Sequence, residues 1–206
     1  MISKEFPELL PGGICLHHGK GKSLMEIKDS GTRQEFESGA VRDGEEKKGR
    51  FDLLPSVVFD MLKGPRGYSY HGWHRVARHF EEGAKKYEDR NWERGIPLHC
   101  FLDSGTRHFF KLLAGESDED HAAAAVWNWV CLLETQNRIQ AGLLPQELSD
   151  LNMVCYSFVS TNLHTSSLGA AVLALQEFYR SQSAAPLSRA IKWVVQYMDE
   201  EEVDAS

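Results

Sequence analysis

Apolar residues recur at three- and four-residue spacing along most of this chain, the pattern of helices that bury one face. From about Gly72 to Tyr87, the residues Trp73, Val76, Ala77, Phe80, Ala84 and Tyr87 fall on a single helical face. A segment from about Pro97 to Leu113 opens on a proline suited to a first helical turn and ends at Ala114-Gly115. The next starts near Ser117-Asp118, where a serine and acids suit a helix N-terminus, and runs to about Gln140 before Gly142. Further helices are expected over Pro145 to about Leu163, Ser166 to about Ser181 and Pro186 to about Met198, with a short one from Ser56 to Lys63 ahead of Gly64-Pro65. No hairpin dipeptide separates alternating apolar runs, and only Met153 to Val159 is ambiguous between helix and strand. The pattern predicts an all-α bundle without internal repeats.

Residues 1 to about 50 break this pattern. They are rich in Gly, Lys, Glu and Ser, with few large apolar residues after Met25, and read as an irregular N-terminal arm. At 206 residues and 42% hydrophobic content the rest can build a core unaided. A formal net charge of -7 argues against indiscriminate binding to nucleic acid or an anionic membrane, while leaving room for local phosphate-binding clusters. Five acids, Asp199, Glu200, Glu201, Glu202 and Asp204, crowd the last eight residues and read as a solvated, fraying tail. Cys15, Cys100, Cys131 and Cys155 lie far apart with no CxxC pair, so reduced and mostly buried thiols are expected. No signal-peptide pattern opens the chain and no apolar run approaches a bilayer span, so a cytoplasmic protein is expected.

Chemistry concentrates on two helices. On the first, Glu81 sits at the edge of the apolar face, while Glu82 points away from it beside Arg75 and Lys86, a solvent-facing arrangement that by itself needs no function. On the second, His121, Ala124, Ala125, Asn128 and Leu132 share a face, which suits either a core with one satisfied histidine or the wall of a polar pocket. Asp103 and Arg107 stand four apart as a salt bridge would, and His108 turns to another side. Phosphate-loop, dinucleotide, zincin and esterase motifs are all absent, and Asp120-His121 reverses the His-Asp order of metal phosphohydrolases. Carboxylates holding Mg²⁺ against a polyphosphate remain, with Lys85, Lys86, Arg90 and Arg94 near to offset phosphoryl charge.

Several ordered blocks carry a family resemblance: Ser38-Gly39-Ala40-Val41-Arg42-Asp43, the run from Lys48 to Pro55, Glu82-Gly83-Ala84-Lys85-Lys86-Tyr87 with Arg90-Asn91-Trp92, Leu102-Asp103-Ser104 with Arg107-His108, Gly115-Glu116, Asp120-His121 and Trp127-Asn128. Over about residues 38 to 137 the chain resembles the phage-rich dATP/dGTP diphosphohydrolase N-terminal domain family, related to the MazG-like all-α nucleotide pyrophosphohydrolases. The resemblance implies a MazG-like helical bundle that hydrolyses dGTP or dATP to the monophosphate and pyrophosphate with Mg²⁺ or Mn²⁺, in phage nucleotide metabolism within the host cytoplasm. It implies Glu82, Glu81, Asp120 and His121 as metal ligands, with Glu81 a possible base and Asp103, Glu116 and Asn128 as further ligands or orienting groups. Arg42, Lys48 and Arg50 of the arm, with Lys85, Lys86, Arg90 and Asn91, would meet the substrate, the arm closing over it.

The chain departs from the MazG-like pattern of Glu-x-x-Glu followed by Glu-x-x-Asp, because Lys85 lies three residues after Glu82 and Ala123 three after Asp120. A nucleotide-sequestering protein, or a helical regulatory protein without turnover, is the alternative. The expected organisation is an arm over 1–50, a catalytic helical domain over 51–140 and a helical extension over 141–206, assembled as a homo-oligomer without membrane or direct nucleic-acid partners.

Overall fold

The computed structural model describes residues 31–44, 47–151, 166–181 and 183–204, and the helical expectation holds over most of them. Two compact units are present, Met1–Gly44 and Glu45–Ser206. Within the first, β1 (Arg33–Glu35) pairs antiparallel with β2 (Val41–Asp43), placing Arg33 opposite Asp43 and Gln34 opposite Arg42. The Arg33 guanidinium donates to Asp43 at 2.6 Å across the pair. The turn closes through Gly39, whose φ of 81° a side chain would resist. This hairpin corrects the picture of a wholly irregular arm: three-residue strands of mostly charged residues carry no apolar alternation to read.

In the second unit, 3-10 turns at Phe51–Leu53 and Ser56–Met61 replace the expected short helix. The latter stops early because the chain folds into a two-residue hairpin, β3 (Lys63–Gly64) with β4 (Gly67–Tyr68). Three helices follow: α1 (Tyr70–Tyr87), α2 (Leu98–Leu113) and α3 (His121–Gln140). After the segment 152–165, which includes Met153 to Val159 and lies outside the described residues, come α4 (Ser167–Ser181) and α5 (Ala184–Asp204). None of the described helices is long and apolar enough to cross a membrane.

The central element is α3, buried nearly all round through Ala122–Val126 and Trp129–Leu133, with α1, α2 and α5 packed on it. Its contacts with α2 run from His108 against His121 to Phe101 against Trp127, so the two helices are antiparallel. They approach closely at Gly105, where an added Cβ would lie 2.5 Å from the Trp129 indole nitrogen. Helix α1 meets α5 just as closely at Gly72, where a Cβ would lie 2.5 Å from the Val195 carbonyl oxygen.

Two helix N-termini are capped from distant segments. Asp199 accepts the Gly72 N–H at 2.8 Å at the start of α1, and Asp150 accepts the His99 N–H at 3.0 Å at the start of α2. Asp199, Glu200 and Glu201 of the acidic C-terminal run are therefore held by partners rather than solvated. Besides Asp199, Glu200 bonds Arg66 and Ser167, and Glu201 accepts from Arg75 at 2.8 Å. Of the thiols, Cys131 is buried and pushed up in pKa by that burial and Cys100 is exposed, while Cys15 and Cys155 lie outside the described residues.

Candidate metal centre

A short loop after α2 returns the chain antiparallel as α3, which sets the last turns of one helix beside the first turn of the other. His108 on α2, Glu119 in the loop and His121 at the start of α3 meet there. His108 Nδ1 and His121 Nδ1 are 3.1 Å apart, and Glu119 Oε1 lies 3.2 Å from the first and 3.5 Å from the second. The His121 side chain is 1% exposed, and its Nε2 lies 2.7 Å from Asp118 Oδ1. A carboxylate there makes Nε2 the protonated nitrogen and leaves the Nδ1 lone pair facing the group. Lys111 in turn holds Asp118 at 3.2 Å, and with His121 it keeps that carboxyl below the usual aspartate range. Burial lowers the His108 pKa despite nearby Glu119, which favours the neutral, ligating imidazole.

Adjacent ligands about 2.1 Å from one ion lie roughly 3.0–3.5 Å apart in octahedral or tetrahedral geometry. The observed separations and the two-imidazole, one-carboxylate donor set therefore fit a divalent metal ion. Among the described residues this is the one group of three or more metal-ligating side chains close enough to share one. The signal that pointed to it was partial. His121 stands out in the sequence, but helical phase turns His108 to a different side of its helix, and Glu119 carries no pattern. The antiparallel return of α3 supplies what helical phase omits.

Asp120 caps α3, accepting the Ala123 N–H at 3.0 Å, and both its oxygens also take a fork from Arg75 at 2.8 Å. Its burial favours the neutral acid, but Arg75 and the amide outweigh that and hold the carboxyl below its usual value. Glu81 is 6% exposed and accepts the N–H of Gly49 at 3.1 Å and of Lys47 at 3.3 Å, with Lys85 Nζ at 2.9 Å. Glu82, with its side chain 67% exposed, bonds Lys85 at 2.9 Å. Asp103 is exposed and pairs with Arg107 at 2.7 Å, and Glu116 is exposed. Asn128 is buried and donates to the Ala124 carbonyl at 2.9 Å.

Of the cations, Arg50 pairs with Asp52 and Asp89, both bonds raising its pKa, and Lys48 is exposed. Arg42 lies in the hairpin unit. Lys86 Nζ sits 4.8 Å from the Tyr87 ring centroid. Arg90 donates to Glu93 at 2.6 Å and to the Asp52 carbonyl, and Asn91 follows it at the start of a 3-10 turn. His79 of α1 packs on Trp127, its ring centroid 5.9 Å away. Burial lowers the His79 pKa against the field of Asp120 and Glu119.

A family model for dATP/dGTP diphosphohydrolase, N-terminal, matches residues 38–142, about half of the chain. The chain belongs to the dATP/dGTP diphosphohydrolase N-terminal family. The family span contains His108, Glu119 and His121 together with α1, α2 and α3 entire, and leaves α4 and α5 outside. Family membership and the His–Glu group are together consistent with a nucleotide pyrophosphohydrolase. No curated protein and no solved structure matches the chain.

Proposed function

We propose that this protein is a metal-dependent nucleoside triphosphate diphosphohydrolase that converts dGTP or dATP to the monophosphate and pyrophosphate. Residues 51–140 are its catalytic unit and residues 141–206 a supporting helical extension. The observation that carries the reading is the convergence of His108, Glu119 and His121 within a chain of the dATP/dGTP diphosphohydrolase N-terminal family. Two imidazoles favour Mn²⁺ or another first-row ion over Mg²⁺, which prefers oxygen ligands. When bound, the ion supplies positive charge against the polyphosphate and makes water more acidic.

The protein's own groups do the rest. The Asp118 carboxylate keeps the His121 proton on Nε2. Glu119 Oε1 is the oxygen nearest both imidazoles, and the other oxygen of this carboxylate is the acceptor for the proton of the attacking water. Arg75, through Asp120, pins the first turn of α3 that carries His121. Lys85, Lys86, Arg90 and Asn91 are the groups that would meet the nucleotide.

Incubating the protein with each dNTP and NTP and Mn²⁺ or Mg²⁺, and separating the products, tests the reading. Pyrophosphate release from dGTP or dATP, abolished in His121→Ala and Glu119→Gln, is expected. Release of inorganic triphosphate or of single phosphates assigns a different reaction. A second reading, sequestration without turnover, is favoured by the commitment of Glu81 to backbone amides and of Asp120 to Arg75. Recovery of intact nucleotide after tight binding decides for it.

A further inference from the structure

A cavity of about 340 Å³ opens beside α1, lined by Phe80, Gly83, Tyr87, Asn91, Trp92 and Trp127 among others. Its size and largely apolar wall, to which Phe80, Tyr87, Trp92 and Trp127 contribute rings and Glu88, Arg90 and Asn91 the polar groups, are those of small-molecule sites. We propose that this cavity holds the planar base of the nucleotide, against the Trp127 and Tyr87 rings, with Asn91 reading the base's hydrogen-bonding edge. The inference rests on the nucleotide reading above and adds where, and by which residues, the base is bound.

Gly83 is the first argument. It lies inside α1, where glycine is the least favourable residue after proline. Its φ is not positive, and an added Cβ would meet nothing within 4 Å among the described residues. Gly72 and Gly105 are explained by the atoms a Cβ would strike; neither conformation nor packing explains Gly83. Its effect is to leave space in the cavity wall.

Unsatisfied polar groups are the second. The indole N–H of Trp92, a residue only 4% exposed, and that of Trp127 are buried without a hydrogen-bond partner among the described residues. The Asn91 amide makes no hydrogen bond among the described residues. A buried donor without an acceptor is costly, and a heterocycle presents acceptors and donors along its edge that an amide and indoles can match.

Position is the third. Trp127 lies six residues after His121 on α3, an axial rise of about 9 Å. His79, packed on Trp127, bridges toward the acids at the head of the helix. The cavity lies where α1 meets α3 and the metal centre where α2 meets α3, so both adjoin α3, along which the sugar and phosphates of a nucleotide seated here would run.

Calorimetric titration of the full chain with dGMP, dAMP and base-free pyrophosphate, with Mn²⁺ present, tests the assignment. In Gly83→Leu, which fills the cavity from its open side, dGMP and dAMP affinity is expected to fall at least tenfold. Pyrophosphate and Mn²⁺ affinities stay within twofold, and the melting temperature does not fall. Asn91→Ala is expected to narrow the ratio of dGMP to dAMP affinity at least threefold, and it supplies the test should Gly83→Leu fail to fold. Wild-type affinity for both monophosphates in Gly83→Leu overturns the base site, as does equal binding of dGMP and pyrophosphate by the wild type. If dGTP or dATP is still hydrolysed to pyrophosphate in those cases, the diphosphohydrolase reading survives alone. A wild-type chain that neither binds these monophosphates nor hydrolyses any dNTP sinks both.

Discussion

Replacing Glu81 by glutamine separates two roles for the most buried acid of α1, catalytic base or structural clamp. The side chain reaches over the segment that precedes the first 3-10 turn and accepts the N–H groups of Lys47 and Gly49 on opposite oxygens. Those bonds tie the segment to α1, aided by the Arg50 N–H on the Ala77 carbonyl at 3.1 Å. Gly49, at φ 73°, lies so close that an added Cβ would be 3.0 Å from the Ala77 Cβ. Glutamine keeps one oxygen but turns an NH₂ toward the second amide, so one charge-assisted bond is lost and a donor faces a donor. Such a bond contributes about 1.5–3 kcal/mol, and allowing for the partial exposure of Lys47 and Gly49 we expect a loss of about 2 kcal/mol. For a chain of this size that lowers Tm by about 4–8 °C. Burial alone would raise the Glu81 pKa, yet Lys85 and the two amides outweigh it and the pKa is lowered. The clamp's contribution is accordingly complete above the unfolded glutamate value of about 4.3 and lost as pH falls below it, so Glu81→Gln flattens the acid limb of stability against pH. Scanning calorimetry from pH 3 to 8, with Mn²⁺ affinity measured alongside, is the assay. An unchanged Tm with abolished turnover would refute the clamp and return Glu81 to the chemistry.

Three further outcomes follow from the same contacts. Asp118→Ala removes the acceptor that orients His121, and Mn²⁺ affinity should fall about tenfold, read by equilibrium dialysis, with Tm in the absence of metal nearly unchanged. Asp120→Ala deletes the α3 cap and one partner of Arg75; the cap alone is worth about 1 kcal/mol, so Tm should drop by roughly 2–4 °C or more. In the wild type, buried His79 has a lowered pKa and so binds fewer protons folded than unfolded; stability should begin to fall as pH drops below the unfolded histidine value of about 6.5, then more steeply below about 4.5 as the carboxylates of Glu81, Glu93 and Asp120 are protonated. A melting curve flat from pH 7 to 5 would rule out the histidine step.

The neighbours Asp120 and His121 show where sequence reading stops. Helical phase correctly buried Trp73, Val76, Ala77 and Phe80, put Glu81 at the boundary, turned Glu82 outward and opened α3 near Asp118, because each depends on residues within a few turns. The sequence offers Asp120 and His121 together as ligands, and nothing local says which one meets a partner and which one caps. That is decided by elements far away in the chain: Arg75 reaches Asp120 from α1, and α2 brings His108 to His121 only because it returns antiparallel across Gly105. The acidic run at the C-terminus follows the same logic. Its charges look solvated until α5 lies along α1, where Asp199 finds an uncapped N-terminus and Glu201 finds Arg75. Arg75 is consequently shared between the head of α3 and the last turns of α5, so the extension outside the family span reaches the metal centre through one guanidinium. Removing Glu201 should therefore shift Mn²⁺ affinity slightly, through Asp120 and the first turn of α3, whereas removing Glu200, bound to Arg66 and Ser167, should leave it alone.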